Sequence, residues 1–229
     1  MKSEVFAVDS GVVTVAHELK APLCLLRQMA LALEFERDVG RVAERMVATS
    51  ERALRQVNDL VKVARLSDAL FEMEPVNPRR VCDEVVSELL GLLKSERRAV
   101  RVDYKNKEKL VVGNPELLHS VIYNFCLNAL HYGDAESPSE VFVRDVRGGV
   151  RVGVRDFGPA VPTRIWRMIK DGLVKQPLEI AMRPGSSGLG LFIAARFVEQ
   201  MRGRFGLVRH RDGTSFFVDL RVSTQMSWL

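Results

Sequence analysis

Residues 123–132 read Y-N-F-C-L-N-A-L-H-Y and place two asparagines within an apolar helical repeat. The pattern predicts a helix from Pro115 to Tyr132, on which Asn124 and Asn128 are four residues apart and share one face. A carboxamide oxygen is a neutral, hard ligand that suits Mg²⁺. The pair therefore indicates a metal-binding face. The alternative is that both side chains only cap or hydrogen-bond a neighbouring loop.

A second polar cluster, V-R-D-F-G-P-A-V-P at residues 154–162, follows a predicted strand. Asp156 at the end of this strand can offer its carboxylate to an amine, and Gly158 can admit a flat ring beside it. An aspartate in an ordinary turn is the alternative, and it is the commoner role of an Asp-x-Gly segment.

A glycine-rich loop, R-P-G-S-S-G-L-G-L-F-I-A-A-R at residues 183–196, leads directly into another predicted helix. Its free backbone N–H groups and the positive end of the helix dipole favour a bound phosphate. The loop does not match the dinucleotide fingerprint, because no strand immediately precedes it, and it lacks the Gly-Lys-Ser/Thr of a P-loop. In this order, the amides, the carboxylate and the phosphate loop indicate an Mg–ATP site.

The rest of the second half alternates helices and strands. Pro78 opens a helix to about Leu93, another helix begins after Gly190, and a β-hairpin turns at Gly148 and Gly149. This order predicts an α/β sandwich, in which one mixed sheet carries helices on one face. The predicted strands cover residues 98–104, 109–112, 140–146, 149–156, 205–210 and 215–222.

The first half has a different rhythm. Apolar residues at three- and four-residue steps predict one helix over residues 12–33 and, after a break near 37–40, a second over about 42–69. Two such helices form an antiparallel hairpin that needs a partner, so a four-helix bundle made by dimerisation is expected. Two prolines in F-E-M-E-P-V-N-P end the helical pattern. The predicted domains are residues 1–70 and 78–229, joined by a linker at 71–77.

With H-E-L-K-A-P-L at residues 17–23 preceding them, these motifs resemble those of sensor histidine kinases of two-component systems. The resemblance spans nearly the whole chain and implies a dimerising phosphoacceptor hairpin followed by a Bergerat-type ATP-binding domain. It also implies that His17 attacks the γ-phosphate, while Glu18 orients the imidazole and accepts its proton. Pro22 would bend the helix below His17, because it removes a backbone hydrogen bond.

The resemblance further implies an ATP site with Mg²⁺ as the cofactor. Asn128 would bind the metal with help from Asn124, and Asp156 would take the adenine amino group. A lid is expected over residues 170–187. The other residues that the resemblance places around the nucleotide are His131, Tyr132, Gly158, Gly188, Leu189, Gly190 and Thr214.

Asn124 favours a kinase over an ATPase within this superfamily. Related ATPases carry a glutamate there to activate water, and asparagine cannot deprotonate water, so the γ-phosphate is preserved for another acceptor. Other positions depart from the family pattern. Ala160 and Ser186 replace glycines, and His131 replaces a common lysine. Ala21 stands where Thr or Asn often positions a hydrolytic water, which argues against phosphatase activity by that route.

The leading hypothesis is a homodimeric protein-histidine kinase that passes a phosphoryl group from His17 to an aspartate of a response regulator. Leu23, Cys24 and Arg27 are the expected docking contacts. The alternative is a phosphotransfer or scaffold protein with a degenerate ATP-binding domain, motivated by the departures from the family pattern. Such a relay would have no need of the retained ATP-site residues.

Composition restricts the partners and the location. The net charge of +5 is spread along the chain and aromatic residues make up only 7%, which argues against nucleic-acid binding. No apolar run approaches the roughly 20 residues that span a bilayer, so a cytoplasmic chain without a membrane span is expected. Only some ten residues precede the apolar run of the first helix, too few for a sensor domain, so we expect either that a separate partner supplies the signal or that the sequence is a fragment.

Overall fold

The computed structural model describes residues 20, 22–33, 38–66, 71–105, 109–172, 174 and 188–224. The expected phosphoacceptor His17, its neighbour Glu18 and Ala21 lie outside the described residues, as does nearly all of the expected lid at 170–187.

Helices and strands alternate along the described part of the chain as the sequence predicts. The helices are α1 (residues 22–32), α2 (Val39–Ala64), α3 (Pro78–Ser95), α4 (Pro115–Tyr132), α5 (Thr163–Lys170) and α6 (Leu189–Gln200). The strands are β1 (Glu74–Val76), β2 (Val100–Lys105), β3 (Val111–Gly113), β4 (Ser139–Val146), β5 (Gly149–Asp156), β6 (Arg204–His210) and β7 (Gly213–Arg221).

Five strands form one mixed sheet in the order β2-β4-β5-β7-β6, with β2 parallel to β4 and the other neighbours antiparallel. Residues alternate between the two faces. Val150, Val152 and Val154 of β5 point into the hydrophobic core that the sheet shares with the helices, whereas Arg151 lies on the other face and pairs with Asp219 at 2.7 Å. The predicted mixed sheet with helices packed on one face is confirmed.

Asparagine and proline together fix the starts of α3 and α4. Asn77 accepts hydrogen bonds from the backbone N–H groups of the first turn of α3, and Asn114 does the same for α4. Pro78 and Pro115 occupy the first helical positions, where no backbone N–H is needed. These two boundaries agree with the predicted helix starts.

Three predicted boundaries require correction. Helix α2 begins at Val39 rather than near residue 42, because the Asp38 side chain accepts from the N–H of Arg41 and caps the helix earlier. Helix α6 begins at Leu189, so Gly190 lies in its first turn rather than before it. The β4–β5 hairpin turns at residues 147–148, since Gly149 already pairs with Val146.

The stretch 71–77, expected as a linker, contains strand β1. Val76 pairs with Val111 of β3 in a two-stranded antiparallel ribbon and is only 5% exposed. This segment is therefore packed onto the second domain rather than suspended between the two domains.

Candidate functional site

Helix α4 brings the Asn124 side chain to the start of α6. The Nδ2 of Asn124 donates to the carbonyl oxygen of Ser120 at 2.9 Å, which leaves its Oδ1 directed away from its own helix. A Cβ placed on Gly190 would lie 2.8 Å from that oxygen. Glycine at position 190 therefore lets the first turn of α6 approach the Asn124 carboxamide, and the structure brings these two predicted site residues together.

Asp156 stands at the end of β5, where two backbone groups fix its carboxylate. Its Oδ1 accepts from the N–H of Gly158 at 3.0 Å and from the N–H of Thr214 at 3.3 Å. The residue is 6% exposed, so the carboxylate is held in one orientation within a largely dehydrated pocket. Asp156, Gly158 and Thr214, which the sequence predicted separately, lie at one place.

Two glycines form the closely packed backbone around Asp156. A Cβ on Gly158 would lie 2.0 Å from the carbonyl oxygen of Tyr132, and a Cβ on Gly213 would lie 2.0 Å from the carbonyl oxygen of Asp156. The contribution of Tyr132 at this point is its backbone, while its ring packs against the hydrophobic core. Glycine at these two positions therefore lets main-chain segments pack directly against one another around Asp156.

Two buried polar atoms in this region have no hydrogen-bond partner in the described part of the chain. They are the Oγ1 of Thr214 and the Nδ2 of Asn128. A buried polar group without a partner is costly, so such atoms indicate a site for a polar ligand. Their positions beside Asp156 and on α4 fit a nucleotide that extends from the β5–β7 end of the sheet toward α4.

The start of α6 suits a phosphate. Gly188 adopts a left-handed conformation with φ 72° and, as a glycine, offers no side chain to cap the first turn of the helix. The side chain of Leu189 is buried in the core at 1% exposure, so it does not contribute to a ligand site. The carboxamide oxygens of Asn124 and Asn128 are neutral donors of the kind that suits Mg²⁺.

His131 is held as a neutral ring by two partners. Its Nδ1 lies 2.8 Å from the carbonyl oxygen of Leu127, which can only accept, so Nδ1 carries the proton. Its Nε2 then accepts from the guanidinium of Arg52 on α2 at 3.1 Å. Burial, with the nearby Arg52 charge, lowers the pKa of His131. The structure thus connects this predicted site residue to α2 and keeps it uncharged near neutral pH.

Two functional candidates, Asp59 and Arg98, were not predicted from the sequence. Asp59 of α2 is 4% exposed and accepts from the Ser120 hydroxyl at 2.9 Å; burial raises the pKa of Asp59 against the opposing effect of that hydrogen bond. Arg98 donates to the carbonyl oxygens of Ala129 and Gly133 at the end of α4. The spacing of Arg52, Arg55, Asp59 and Lys62 was visible in the sequence, but it is also typical of a solvated helix face.

Comparison with known proteins agrees with this geometry. Residues 113–224 match the family described as histidine kinase-, DNA gyrase B- and HSP90-like ATPase. The sensor protein kinase PmrB of Pseudomonas aeruginosa is 30% identical over 211 residues, covering 90% of this chain and 43% of the relative. The sensor-like histidine kinase SenX3 of Mycolicibacterium smegmatis is 26% identical over 202 residues, covering 86% of this chain and 52% of the relative.

Among solved structures, the histidine kinase AdeS of Acinetobacter baumannii superposes with a TM-score of 0.64 at 17% identity, covering 91% of this chain and 98% of that one. At this identity the likeness establishes the fold. The chain spans about half or less of the length of the two curated relatives. Within the described residues, none of the helices combines the length and apolar character that a bilayer crossing requires.

Proposed function

Because this chain belongs to the sensor histidine kinases of two-component systems, we propose that it is an ATP-dependent protein-histidine kinase. It autophosphorylates His17 from Mg–ATP and transfers the phosphoryl group to an aspartate of a response regulator. The observation that carries the proposal is the Asp156 pocket, in which a fixed carboxylate, closely packed glycine backbone and a buried Thr214 hydroxyl converge, and this hydroxyl has no partner among the described residues.

Each feature of this pocket has a role in binding adenine. The Asp156 carboxylate is an acceptor for the exocyclic amino group, and the two backbone N–H groups that hold it keep it oriented. Thr214 supplies a hydroxyl that can donate or accept. Gly158 supplies one of these N–H groups and lets the backbone pack tightly beside the carboxylate. These groups position the base and leave the phosphates directed toward α4 and α6.

At the phosphate end, Asn124 and Asn128 would hold Mg²⁺, and the backbone N–H groups that follow Gly188 would bind phosphate oxygens. When bound, Mg²⁺ supplies neutralisation of the negative charge on the transferring phosphoryl group. The hydrogen bond to Ser120 orients the carboxamide of Asn124, and an amide cannot serve as a base for water. The γ-phosphoryl group is therefore reserved for His17, with Glu18 accepting the imidazole proton.

The helices that precede the ATP-binding domain are proposed to supply the dimer and docking surfaces. Apolar side chains remain exposed on α1 and α2 and suit a four-helix bundle with a second copy. Leu23 is 61% exposed and Cys24 is exposed, as a docking surface for a receiver domain requires. The exposed apolar residues of α1 and α2 are Leu23, Leu25, Leu31, Val39, Val47, Leu54, Val57 and Val61.

A location in the cytoplasm and a separate sensor partner remain part of the proposal.

The test is incubation with γ-labelled ATP and Mg²⁺, followed by measurement of acid-labile label on the chain. We expect label on the wild type and on Asn58→Ala, an exposed asparagine of α2 that serves as the matched control. His17→Gln and Asn128→Ala should carry none. Label that persists in His17→Gln would contradict the assigned acceptor. Absence of both label and nucleotide binding in the wild type would favour a phosphotransfer relay instead.

A further inference from the structure

The outer face of the five-stranded sheet, which lies opposite the hydrophobic core, is strongly basic. Residues of each described strand alternate between the two faces, and seven cations and three acids point outward. A fourth acid, Asp212 of the β6–β7 turn, pairs with Arg155 at 2.9 Å. The outer face therefore carries a net charge of +3, out of +5 for the whole chain. The cations are Arg101, Lys105, Arg144, Arg151, Arg155, Arg204 and Arg221, and the strand acids are Asp103, Glu140 and Asp219.

One row of the outer face places like charges side by side. In the order of the five strands this row consists of Lys105, Arg144, Arg151, Asp219 and Arg204, which are four cations and one acid. Arg144 stands directly opposite both Lys105 and Arg151, and like charges in opposite positions destabilise a sheet. Such a local conflict is expected where a surface serves a function. The row therefore indicates a surface that is basic for the sake of an anionic partner.

Two aromatic rings hold guanidinium groups of this row against the sheet. The Cζ atom of Arg151 lies 3.6 Å from the centroid of the Phe217 ring, and that of Arg144 lies 4.9 Å from the centroid of the Phe142 ring. Arg151 also makes a two-bonded contact with Asp219, at 2.7 Å and 2.9 Å. Planar guanidinium groups that stack on rings lose little further freedom when they bind an anion. The basic surface is therefore ordered before a partner arrives.

The outer face offers charge and little apolar anchorage. Its two phenylalanines, Phe142 and Phe217, are only 5% and 4% exposed, so neither ring is available to stack on a base or to fill a pocket in a partner. Specific protein partners need such anchors and single-stranded nucleic acids need stacking, whereas a bilayer attracts a basic surface through the sum of its charges. Five strands also make a broad, open surface about 20–25 Å wide rather than a groove. These properties favour an anionic bilayer as the partner.

We propose that the outer face is a peripheral membrane-binding surface, and that its partner is a bilayer rich in anionic phospholipid headgroups. Arg204 and Arg221 are exposed and have no ion pair within the described part of the chain, so their charges are available to headgroups. Helices α4 and α6 pack on the other face of the sheet, so the bound domain keeps the proposed nucleotide site turned away from the bilayer. The inference does not depend on the proposed function, because the bilayer is attracted by charge whether or not nucleotide is bound.

The first test measures co-sedimentation of the full chain with lipid vesicles. We expect binding to vesicles of equal parts phosphatidylglycerol and phosphatidylcholine, weakening as salt is added, and none to pure phosphatidylcholine. Arg204→Gln combined with Arg221→Gln should reduce the affinity about tenfold or more. Arg80→Gln combined with Lys94→Gln is the matched control, because it changes the net charge equally at exposed positions of α3, and it should retain binding.

Three outcomes of this test would overturn the proposal. They are equal binding to the two kinds of vesicle, undiminished binding by the outer-face variant, and equal losses in the two variants. An affinity for duplex DNA that exceeds the affinity for anionic vesicles at the same salt would also overturn it and assign the surface to nucleic acid. Thermal unfolding of both variants confirms that they are folded.

The second test identifies the face that contacts the bilayer. In a Cys24→Ser background, which removes an exposed thiol, a fluorophore is attached either at Val208→Cys on the outer face or at Leu90→Cys on α3. Both native side chains are exposed, at 38% and 47%. Nitroxide-labelled headgroups in the anionic vesicles should quench the first fluorophore and spare the second. Equal quenching, or stronger quenching at position 90, would overturn the assignment of the outer face.

Discussion

Gly158 occupies a position where no side chain fits, because a Cβ there would lie 2.0 Å from the carbonyl oxygen of Tyr132. We expect Gly158→Ala to displace the end of α4 from Asp156, to cost about 1–3 kcal/mol of unfolding free energy and to abolish nucleotide binding. Thermal unfolding and calorimetry with an Mg–ATP analogue measure the two effects.

Gly91 is the matched control for this substitution. It lies exposed in α3, and a Cβ there would meet nothing within 4 Å. Gly91→Ala should stabilise the chain by about 0.5–1 kcal/mol, because alanine loses less conformational freedom than glycine in a helix, and should leave nucleotide binding intact. Equal binding by the two variants would show that the close approach at Gly158 has no role in the pocket.

The ring of His131 provides a pH-dependent readout of its surroundings. Burial lowers the pKa of His131 below its ordinary value of 6.5. The unfolded chain then takes up the proton more readily than the folded chain, so the contribution of His131 to stability is complete above that value and declines as the pH falls below it. A two-dimensional NMR titration should report a pKa below 6.5, and Arg52→Gln should raise it. A pKa at or above 6.5 in the wild type would contradict the contact with Arg52.

At the residue scale, the sequence predicted the groups that recur in local motifs. Asp156 and Gly158 are two positions apart, and Asn124 and Asn128 are four apart, so spacing alone indicated their shared chemistry. Asp59 could not be predicted as a site residue, because its importance depends on burial against Ser120, 61 residues further along the chain. Local pattern carries no information about such a pairing.

At the scale of an element, Arg98 connects the end of α4 to the nucleotide pocket. Its guanidinium donates to the carbonyl oxygen of Gly133 at 3.1 Å and to that of Ala129 at 3.3 Å, which also accepts from the N–H of Gly133, so it ties the last turn of α4 to the residue that follows it. Gly133 also lies against Asp156, where an added Cβ would be 3.4 Å from that of the aspartate. The same arginine thus holds the backbone that supports the proposed adenine site.

We expect Arg98→Met to raise KM for ATP several-fold with little change in kcat, because the site would be displaced while the phosphoryl-transfer groups remain. Arg98→Lys should recover part of the loss by donating one hydrogen bond. Steady-state autophosphorylation kinetics measure KM and kcat separately. Arg147→Met in the exposed β4–β5 turn is the control. A fall in kcat with KM unchanged would indicate a general structural role for Arg98.

Elements with a strong local signal were predicted closely, and elements that depend on a distant partner were not. Asn77–Pro78 and Asn114–Pro115 combine a capping side chain with a residue suited to the first turn, so α3 and α4 start where the sequence places them. Strand β1 is three residues long and contains Pro75, so nothing local marks it as a strand. It exists because β3, far along the chain, supplies the other half of the ribbon.

For the whole molecule, strand β1 determines where the second domain begins. A fragment of residues 71–224 should unfold cooperatively, whereas one of residues 78–224 should be less stable by about 2–4 kcal/mol. The shorter fragment loses the burial of Val76, worth about 1.5–3 kcal/mol, and the Asn77 cap of α3, worth about 1 kcal/mol. Thermal and urea unfolding of the two fragments provide the measurement.

Asn77→Ala in the longer fragment separates the two contributions to this difference. It removes only the cap and should account for about 1 kcal/mol of it, with the remainder due to β1. If both fragments unfold with the same midpoint, the ribbon contributes nothing to the domain, and the boundary at residue 78 expected from composition is correct.

The glycine-lined pocket also bears on how resistance to an inhibitor could arise. A compound bound at Asp156 would depend on the backbone packing that Gly158 and Gly213 make possible. Adding a side chain at either glycine places a Cβ 2.0 Å from a carbonyl oxygen, so a change that excludes the drug also damages the protein's own pocket. Resistance would then require substitutions at the periphery of the pocket. We therefore expect resistance to arise less readily against a compound that depends on this pair of glycines.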